Sequence, residues 1–346
     1  MSQYAQELSA IARALVAKGK GILAMDESNA TCNRRFQKLG IPTTQECRQA
    51  YRELILTTPG LSDYISGPIL YDETIRQTTQ EGLPFLRVIA DAGMIPGIKV
   101  DTGAQDLAGH AHEKVTEGLD GLRDRLAEYY QMGARFAKWR AVITINHEIP
   151  SQACIEANAH GLARYAALCQ EAGLVPIVEP EVLIDGDHTL TQCWHVTDAT
   201  LHEVFHQLHV QNVAFDQMIL KPSMVIPGKG CDQQASIEAV AEATISCLLK
   251  NVPASVAGVA FLSGGQSMAR ASGHLNAMNR IFGDQCPWPV TFSYARAIQQ
   301  PALDYWAGEP KHVEEAQKRL LQRAQCNSAA SRGEYSSEME KPLAIA

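Results

Sequence analysis

The chain has 346 residues, 46% of them hydrophobic and 20% charged, with a formal net charge of -8. That composition supports a large folded core, and the negative balance argues against a protein that coats nucleic acid while leaving room for a local basic pocket. Nine scattered cysteines (Cys32, Cys47, Cys154, Cys169, Cys193, Cys231, Cys247, Cys286 and Cys326), never in a C-x-x-C pair, fit free thiols in a reducing compartment rather than a disulfide frame or a zinc ribbon.

The opening MSQYAQELSAIARALVAKGKG sets Tyr4, Leu8, Ile11, Leu15 and Val16 on one helical face and stops near Gly19. Glu7 and Arg13 interrupt any apolar core, which speaks against a signal peptide. No uncharged run reaches the roughly 18 residues that a membrane span needs. The expectation is a cytoplasmic protein with neither a membrane nor a nucleic acid as partner.

Eight short apolar runs follow: GILAMD (21–26), ISGPILYD (65–72), IPGIKV (95–100), ARFAKWRAVI (134–143), LVPIVEPEVL (174–183), QMILKPSMV (217–225), GVAFLSGG (258–265) and PVTFSYAR (289–296). Intervening segments such as DGLRDRLAEYYQMG and SIEAVAEATISCLLKN have helical periodicity and end near Gly or Asn. Strands alternating with helices predict right-handed βαβ units and a parallel sheet. Eight of them predict an α/β fold, a single (β/α)₈ TIM barrel, with a doubly wound open sheet as the alternative. A last helix carries Val313, Ala316, Leu320, Leu321 and Ala324 on one face. The barrel is expected to fill residues 1–326, and residues 327–346 to form a flexible polar C-terminal tail.

Catalytic groups of such barrels gather at the C-terminal ends of the strands, so polar residues late in the apolar runs are the candidates. They are Asp26, Lys99, Asp101, Lys138, Arg140, Glu179, Glu181, Lys221, Ser263 and Arg296. Residues two apart on a strand share a face, so Lys138 with Arg140, and Glu179 with Glu181, can point inward together. Pro180 cannot donate to a sheet ladder, which places the glutamate pair at a frayed strand end.

Lys221, inside the apolar QMILKPSMVIPG, is the residue most in need of a reason, because a buried ammonium is destabilised unless it is paired or gives up its proton. A snorkelling lysine is the plain alternative. A free lysine has a pKa of about 10.4; burial and a neighbouring cation such as Lys138 are expected to lower it and expose a nucleophilic amine. Such an amine forms a Schiff base with a carbonyl, and the protonated imine is an electron sink for breaking the adjacent C–C bond. Glu179 suits the acid that expels water. This chemistry requires no cofactor and no metal. The LSGG run with Arg296, and Arg34, Arg35 and Lys99 elsewhere, suggest two anion sites and hence a substrate phosphorylated at both ends.

KGILAMDES, GIKVDTG, RFAKWR, VEPEVL, LKPSMV, FLSGGQS and FSYARA occur in this order between about Tyr4 and about Asn327, and with them the sequence closely resembles class I fructose-1,6-bisphosphate aldolase. The resemblance implies a lyase of glycolysis and gluconeogenesis that reversibly cleaves fructose 1,6-bisphosphate to dihydroxyacetone phosphate and glyceraldehyde 3-phosphate. Sedoheptulose 1,7-bisphosphate is the alternative or additional substrate. It further implies a homotetramer.

By the same resemblance, Lys221 is the Schiff-base lysine and Glu179 the acid and base of imine formation. Lys138 and Asp26 assist proton transfer and C–C cleavage, and Glu181 organises the lysines. Ser263, Gly264, Gly265 and Arg296 hold the dihydroxyacetone-phosphate end, with Thr31, Arg35, Lys99 and Arg140 toward the other phosphate. Three departures stand out. Many members end in a tyrosine, whereas this chain ends KPLAIA and its last tyrosine is Tyr335, which bears on how the enamine is reprotonated. Thr31 replaces the usual Ser, and Ala295 the usual Gly before Arg296.

Some matches lead elsewhere. HEVFH at 202–206, with His209, spells a zinc-peptidase motif, but the longer form would need Gly at 209 and His at 212, and its helix belongs on the outside of the barrel. The NAT triplet at Asn29 sits beside the proposed site. GKGC at 228–231 lacks the glycine spacing and the Ser or Thr of a phosphate-binding loop. A catalytically silent binding scaffold would not need Asp26, Lys138, Glu179 and Lys221 together.

Overall fold

A computed structural model describes residues 4–341. Its strands are β1 (Gly21–Ala24), β2 (Ile65–Leu70), β3 (Gly97–Lys99), β4 (Gly103–Asp106), β5 (Lys114–Glu117), β6 (Phe136–Ile143), β7 (Val175–Val182), β8 (Ile219–Leu220), β9 (Gly258–Phe261) and β10 (Val290–Tyr294). From β1 the sheet runs through β2, β3, β6, β7, β8, β9 and β10 back to β1, closed and parallel throughout. The eight apolar runs are therefore the eight barrel strands, with helices between them. Sequence reasoning did not foresee β4 and β5, an antiparallel pair in the connection from β3 to β6.

Alternation along each strand divides the residues between two environments. Leu23, Leu70, Ala137, Val178, Leu220, Val259 and Phe261 face outward into the main core under the helices. Ile22, Ile69, Phe136, Val175, Ile177, Ile219 and Ala260 face inward and fill the lower half of the barrel. The N-terminal helix, Ala5–Leu15, closes this end: Leu8, Ala12 and Leu15 join the same inner cluster. The Ser66 hydroxyl fastens it by donating to the Leu15 carbonyl at 2.8 Å. Above that apolar floor the inward positions become ionic, with Lys138 and Arg140 following Phe136, and Glu179 and Glu181 following Ile177.

β8 is formally two residues long because Pro222 has no N–H to donate. The ladder nevertheless continues past it. Lys221 donates its N–H to Val178 O at 2.8 Å, and Pro222 O accepts from Leu262 N at 3.1 Å. Lys221 thus sits on rigid backbone at the end of a central strand.

The last helix extends past the boundary expected at residue 326. It runs from Val313 to Ala330, with Asn327 and Ser328 fully or almost fully buried. Residues 331–341 pack back on it: Met339 O accepts from Gln322 Nε2 at 3.0 Å, and Glu340 pairs with the buried Arg323. The polarity read as a solvated tail here supplies partners for a buried guanidinium. Residues 342–346, where the C-terminal end lies, are outside the described residues. No described helix is long and apolar enough to cross a membrane.

Gly97 leaves room for Phe136, whose ring carbons would lie 2.2 Å from a Cβ at that position. Gly97→Ala is therefore expected to lose about 2 kcal/mol in urea unfolding by overpacking the barrel floor. Combining it with Phe136→Leu should cost less than the two changes separately, because the residues share one space. Strictly additive losses would contradict this packing.

Candidate active site

The C-terminal mouth of the barrel opens into a cavity of about 670 Å³ lined from the ends of all eight strands, with Tyr71 and Asp72 entering after β2. Asp26 and Thr31 enter after β1, Lys99 and Asp101 at β3, Lys138 and Arg140 from β6, Glu179 and Glu181 from β7, Lys221 after β8, Ser263 to Gly265 after β9, and Arg296 after β10.

The deepest groups form one chain of charges. Lys221 Nζ lies 3.3 Å from Glu179 Oε1, and Glu179 Oε2 lies 3.3 Å from Lys138 Nζ, which in turn is 2.8 Å from Asp26 Oδ2. Lys138, Glu179 and Lys221 are only 3–4% exposed. Unpaired, such charges would each cost several kcal/mol; alternating in sign, they are mutually compensated. Glu179 Oε2 is buried and accepts no hydrogen bond, although an ammonium stands beside it.

The two lysines are not equivalent. Lys138 is shared by two carboxylates, whereas Lys221 has ion-pair contact with one. Burial alone would drive Lys138 toward its neutral form, but Asp26 and Glu179 outweigh it and hold its pKa above the usual lysine value. Burial likewise pushes Asp26 up, and the ammonium groups of Lys138 and Lys221 overcome this and bring it down to about 2. Both therefore stay charged at neutral pH.

A second tier surrounds this chain. Lys99 Nζ pairs with Asp101 Oδ1 at 2.6 Å, and Asp101 Oδ2 also accepts from Arg140 N at 3.2 Å. Glu181 pairs with Arg140 through Nε. Its ion pair among the described residues is with this arginine and not with a lysine.

Two loops frame the mouth of the cavity. Gly264 and Gly265 have φ of +53° and +83°, left-handed conformations that suit glycine, next to the exposed Arg296. Ala295 has φ -102°, outside the left-handed region that favours glycine. On the opposite side, Ser28 caps the helix Asn29–Gln37 by accepting from Thr31 N at 3.3 Å, and its hydroxyl lies 3.2 Å from that of Thr31.

Arg35 does not join the cavity wall. It pairs with Glu27 at 2.5 Å and donates to Gln299 and Gln300 at 3.2 Å, so its guanidinium is spent on holding Glu27 and the β1 loop in place. Arg52 binds the other oxygen of Glu27 at 2.9 Å. Lys229 and Asp185 do line the cavity and were missed, because the only sequence signal for the lysine was a glycine on either side. His202, His206 and His209 are exposed on the outer helix Leu190–Val210, and no metal-holding group of three or more His, Cys, Asp or Glu occurs among the described residues.

Asp26 has a folded-state pKa of about 2 against 3.8 as the unperturbed value. Its ionised form therefore stabilises the fold above pH 3.8. As pH falls toward about 2 that contribution disappears. Asp26→Asn is expected to lose about 2 kcal/mol near pH 6 in urea unfolding. The gap from the unsubstituted protein should narrow progressively below about pH 4; a gap that stays constant to pH 2.5 would contradict the pairing.

The profile of the family described as fructose-bisphosphate aldolase class-I matches residues 7–345. A probable fructose-bisphosphate aldolase class 1 of Xanthomonas campestris pv. campestris is 58% identical over 95% of this chain and 98% of its own length. Fructose-bisphosphate aldolase 3, chloroplastic, of Arabidopsis thaliana is 51% identical over 97% of this chain and 85% of its own. Among solved structures, the fructose-bisphosphate aldolase of Plasmodium falciparum, in complex with TRAP and a small-molecule inhibitor, superposes with a TM-score of 0.95 at 44% identity over 97% of each chain.

Proposed function

The chain belongs to the class I fructose-bisphosphate aldolase family and is a lyase, and from that premise we propose that it cleaves fructose 1,6-bisphosphate through a Schiff base on Lys221. What carries the reading is the charge chain Lys221, Glu179, Lys138, Asp26, in which one lysine faces a single, shared carboxylate.

Lys221, its proton passed toward Glu179, attacks the C2 ketone as a neutral amine. Glu179 then returns a proton to the carbinolamine oxygen, water leaves, and a C2 iminium remains. Lys138, held as an ammonium, keeps the pocket positive at the C2 oxygen. Asp26, held as a carboxylate, is suited to accept the C4 hydroxyl proton. As that proton leaves, the C3–C4 electron pair moves into the iminium, releasing glyceraldehyde 3-phosphate and leaving an enamine. Protonation at C3 and hydrolysis of the imine release dihydroxyacetone phosphate and restore Lys221. Tyr335 is not on the cavity wall; its hydroxyl donates to Glu340 at 2.8 Å, so this scheme gives it no part in the C3 protonation.

Ser263, Gly264, Gly265 and Arg296 take one phosphate in this reading, and Thr31, Lys99 and Arg140 the other. Arg35 acts behind them by fixing Glu27. The cavity, about 670 Å³, is ample for a small sugar bisphosphate, so sedoheptulose 1,7-bisphosphate belongs in the same assay. A cytoplasmic homotetramer is proposed on family membership alone.

Cleavage is expected to proceed in EDTA, because no step in this scheme uses a metal. Lys221→Met should abolish it, and Glu179→Gln should lower kcat by about 10²- to 10⁴-fold, the range of one general acid–base group. Cleavage that EDTA abolishes, or that survives in Lys221→Met, overturns the mechanism.

A further inference from the structure

Gly228-Lys229-Gly230 is dismissed by sequence reasoning as a failed phosphate-binding loop, yet its lysine lines the cavity. The backbone there is firmly held. Gly228 N donates to His188 O at 2.8 Å, Lys229 N to Ile184 O at 2.9 Å, and Gly230 N to Gly186 O at 2.8 Å. A Cβ on Gly228 would lie 2.4 Å from Gly186 O, so glycine is what lets the two loops meet.

From that base the side chain reaches across to the loop after β9. Lys229 Nζ lies 3.1 Å from where a Cβ on Gly265 would be, and Arg296 Nη2 lies 3.3 Å from the same point. Two cations therefore flank one stretch of left-handed backbone. Among the described residues Lys229 pairs only with Asp185, at 3.1 Å, and both side chains are more than half exposed, 51% and 71%. Such a solvated pair is worth little and is readily exchanged for a stronger anion. Arg296 has no ion pair among the described residues.

We propose that Lys229 is a second phosphate-binding cation: when the substrate phosphate docks on Gly264 and Gly265, the ammonium leaves Asp185 and closes on that phosphate opposite Arg296. This rests on the reading of Ser263, Gly264, Gly265 and Arg296 as a phosphate site. A phosphate dianion between a guanidinium and an ammonium has both charges met, where Arg296 alone would leave one to water. Lys229 pairs with neither Asp26 nor Glu179, the carboxylates of the inner chain, so its contribution belongs to binding.

The test is titration of the purified full chain with inorganic phosphate, alongside steady-state cleavage of fructose 1,6-bisphosphate, for the unsubstituted protein, Lys229→Met and Lys229→Arg. Lys229→Met is expected to weaken phosphate binding and raise KM by about tenfold, the scale of one charge-assisted hydrogen bond, with kcat falling far less than KM rises. Lys229→Arg should restore most of the affinity, and the gap should shrink with added salt. Unchanged phosphate affinity in Lys229→Met, a loss confined to kcat, or no phosphate binding by the unsubstituted protein overturns the proposal. An unsubstituted protein that binds phosphate through Lys229 but does not cleave the sugar counts against the proposed function and leaves this inference standing.

Discussion

Glu179 stands between two ammonium groups, 3.3 Å from each, and the upper half of the barrel is arranged around that shared carboxylate. Its position on β7, flanked by β6 and β8, is what allows lysines from both neighbours to reach it. In a low-dielectric interior none of these groups is tolerable alone. Removing one partner leaves an uncompensated charge, so the cluster is held or lost as a unit. That coupling also gives the lysines different characters: one is locked as a cation by two carboxylates, and the other is left with a half share in one.

The barrel makes such a cluster affordable by separating it from the apolar floor. Ile177 and Glu179 are two residues apart on one strand, as are Phe136 and Lys138, so each pair spans the change from packed hydrocarbon to charge. Below, the N-terminal helix seals the barrel against water; above, a second tier of Lys99, Asp101, Arg140 and Glu181 surrounds the inner chain. The outer loops, including the Gly264 and Gly265 turn and the Lys229 loop, then act on substrate without disturbing the inner balance.

Much of this was legible in the sequence because the relevant signals are periodic. Apolar runs of strand length, separated by helical patterns, yielded all eight barrel strands, and polar residues at their ends gave Asp26, Lys99, Lys138, Arg140, Glu179, Glu181 and Lys221. What was hidden depends on partners distant in the chain. Arg35 looks like any other basic residue until Glu27, Gln299 and Gln300 are seen to occupy it. The β4 and β5 pair, GAQD and KVTE, carries no strong apolar alternation, because β4 is largely exposed and β5 is only partly buried. Residues 327–341 read as solvated because their polarity gives no hint of a buried Arg323 waiting for Glu340. Lys229 was missed because its glycines serve loop contact rather than a phosphate-binding loop.

The most direct measurement is chemical trapping: dihydroxyacetone phosphate is added to the protein in EDTA, the mixture is reduced with borohydride, and the adduct is located by peptide mass spectrometry. The geometry predicts a single reduced adduct on Lys221, the lysine with one carboxylate contact. An adduct on Lys138, or none while cleavage proceeds, would contradict the division of roles that the shared Glu179 imposes.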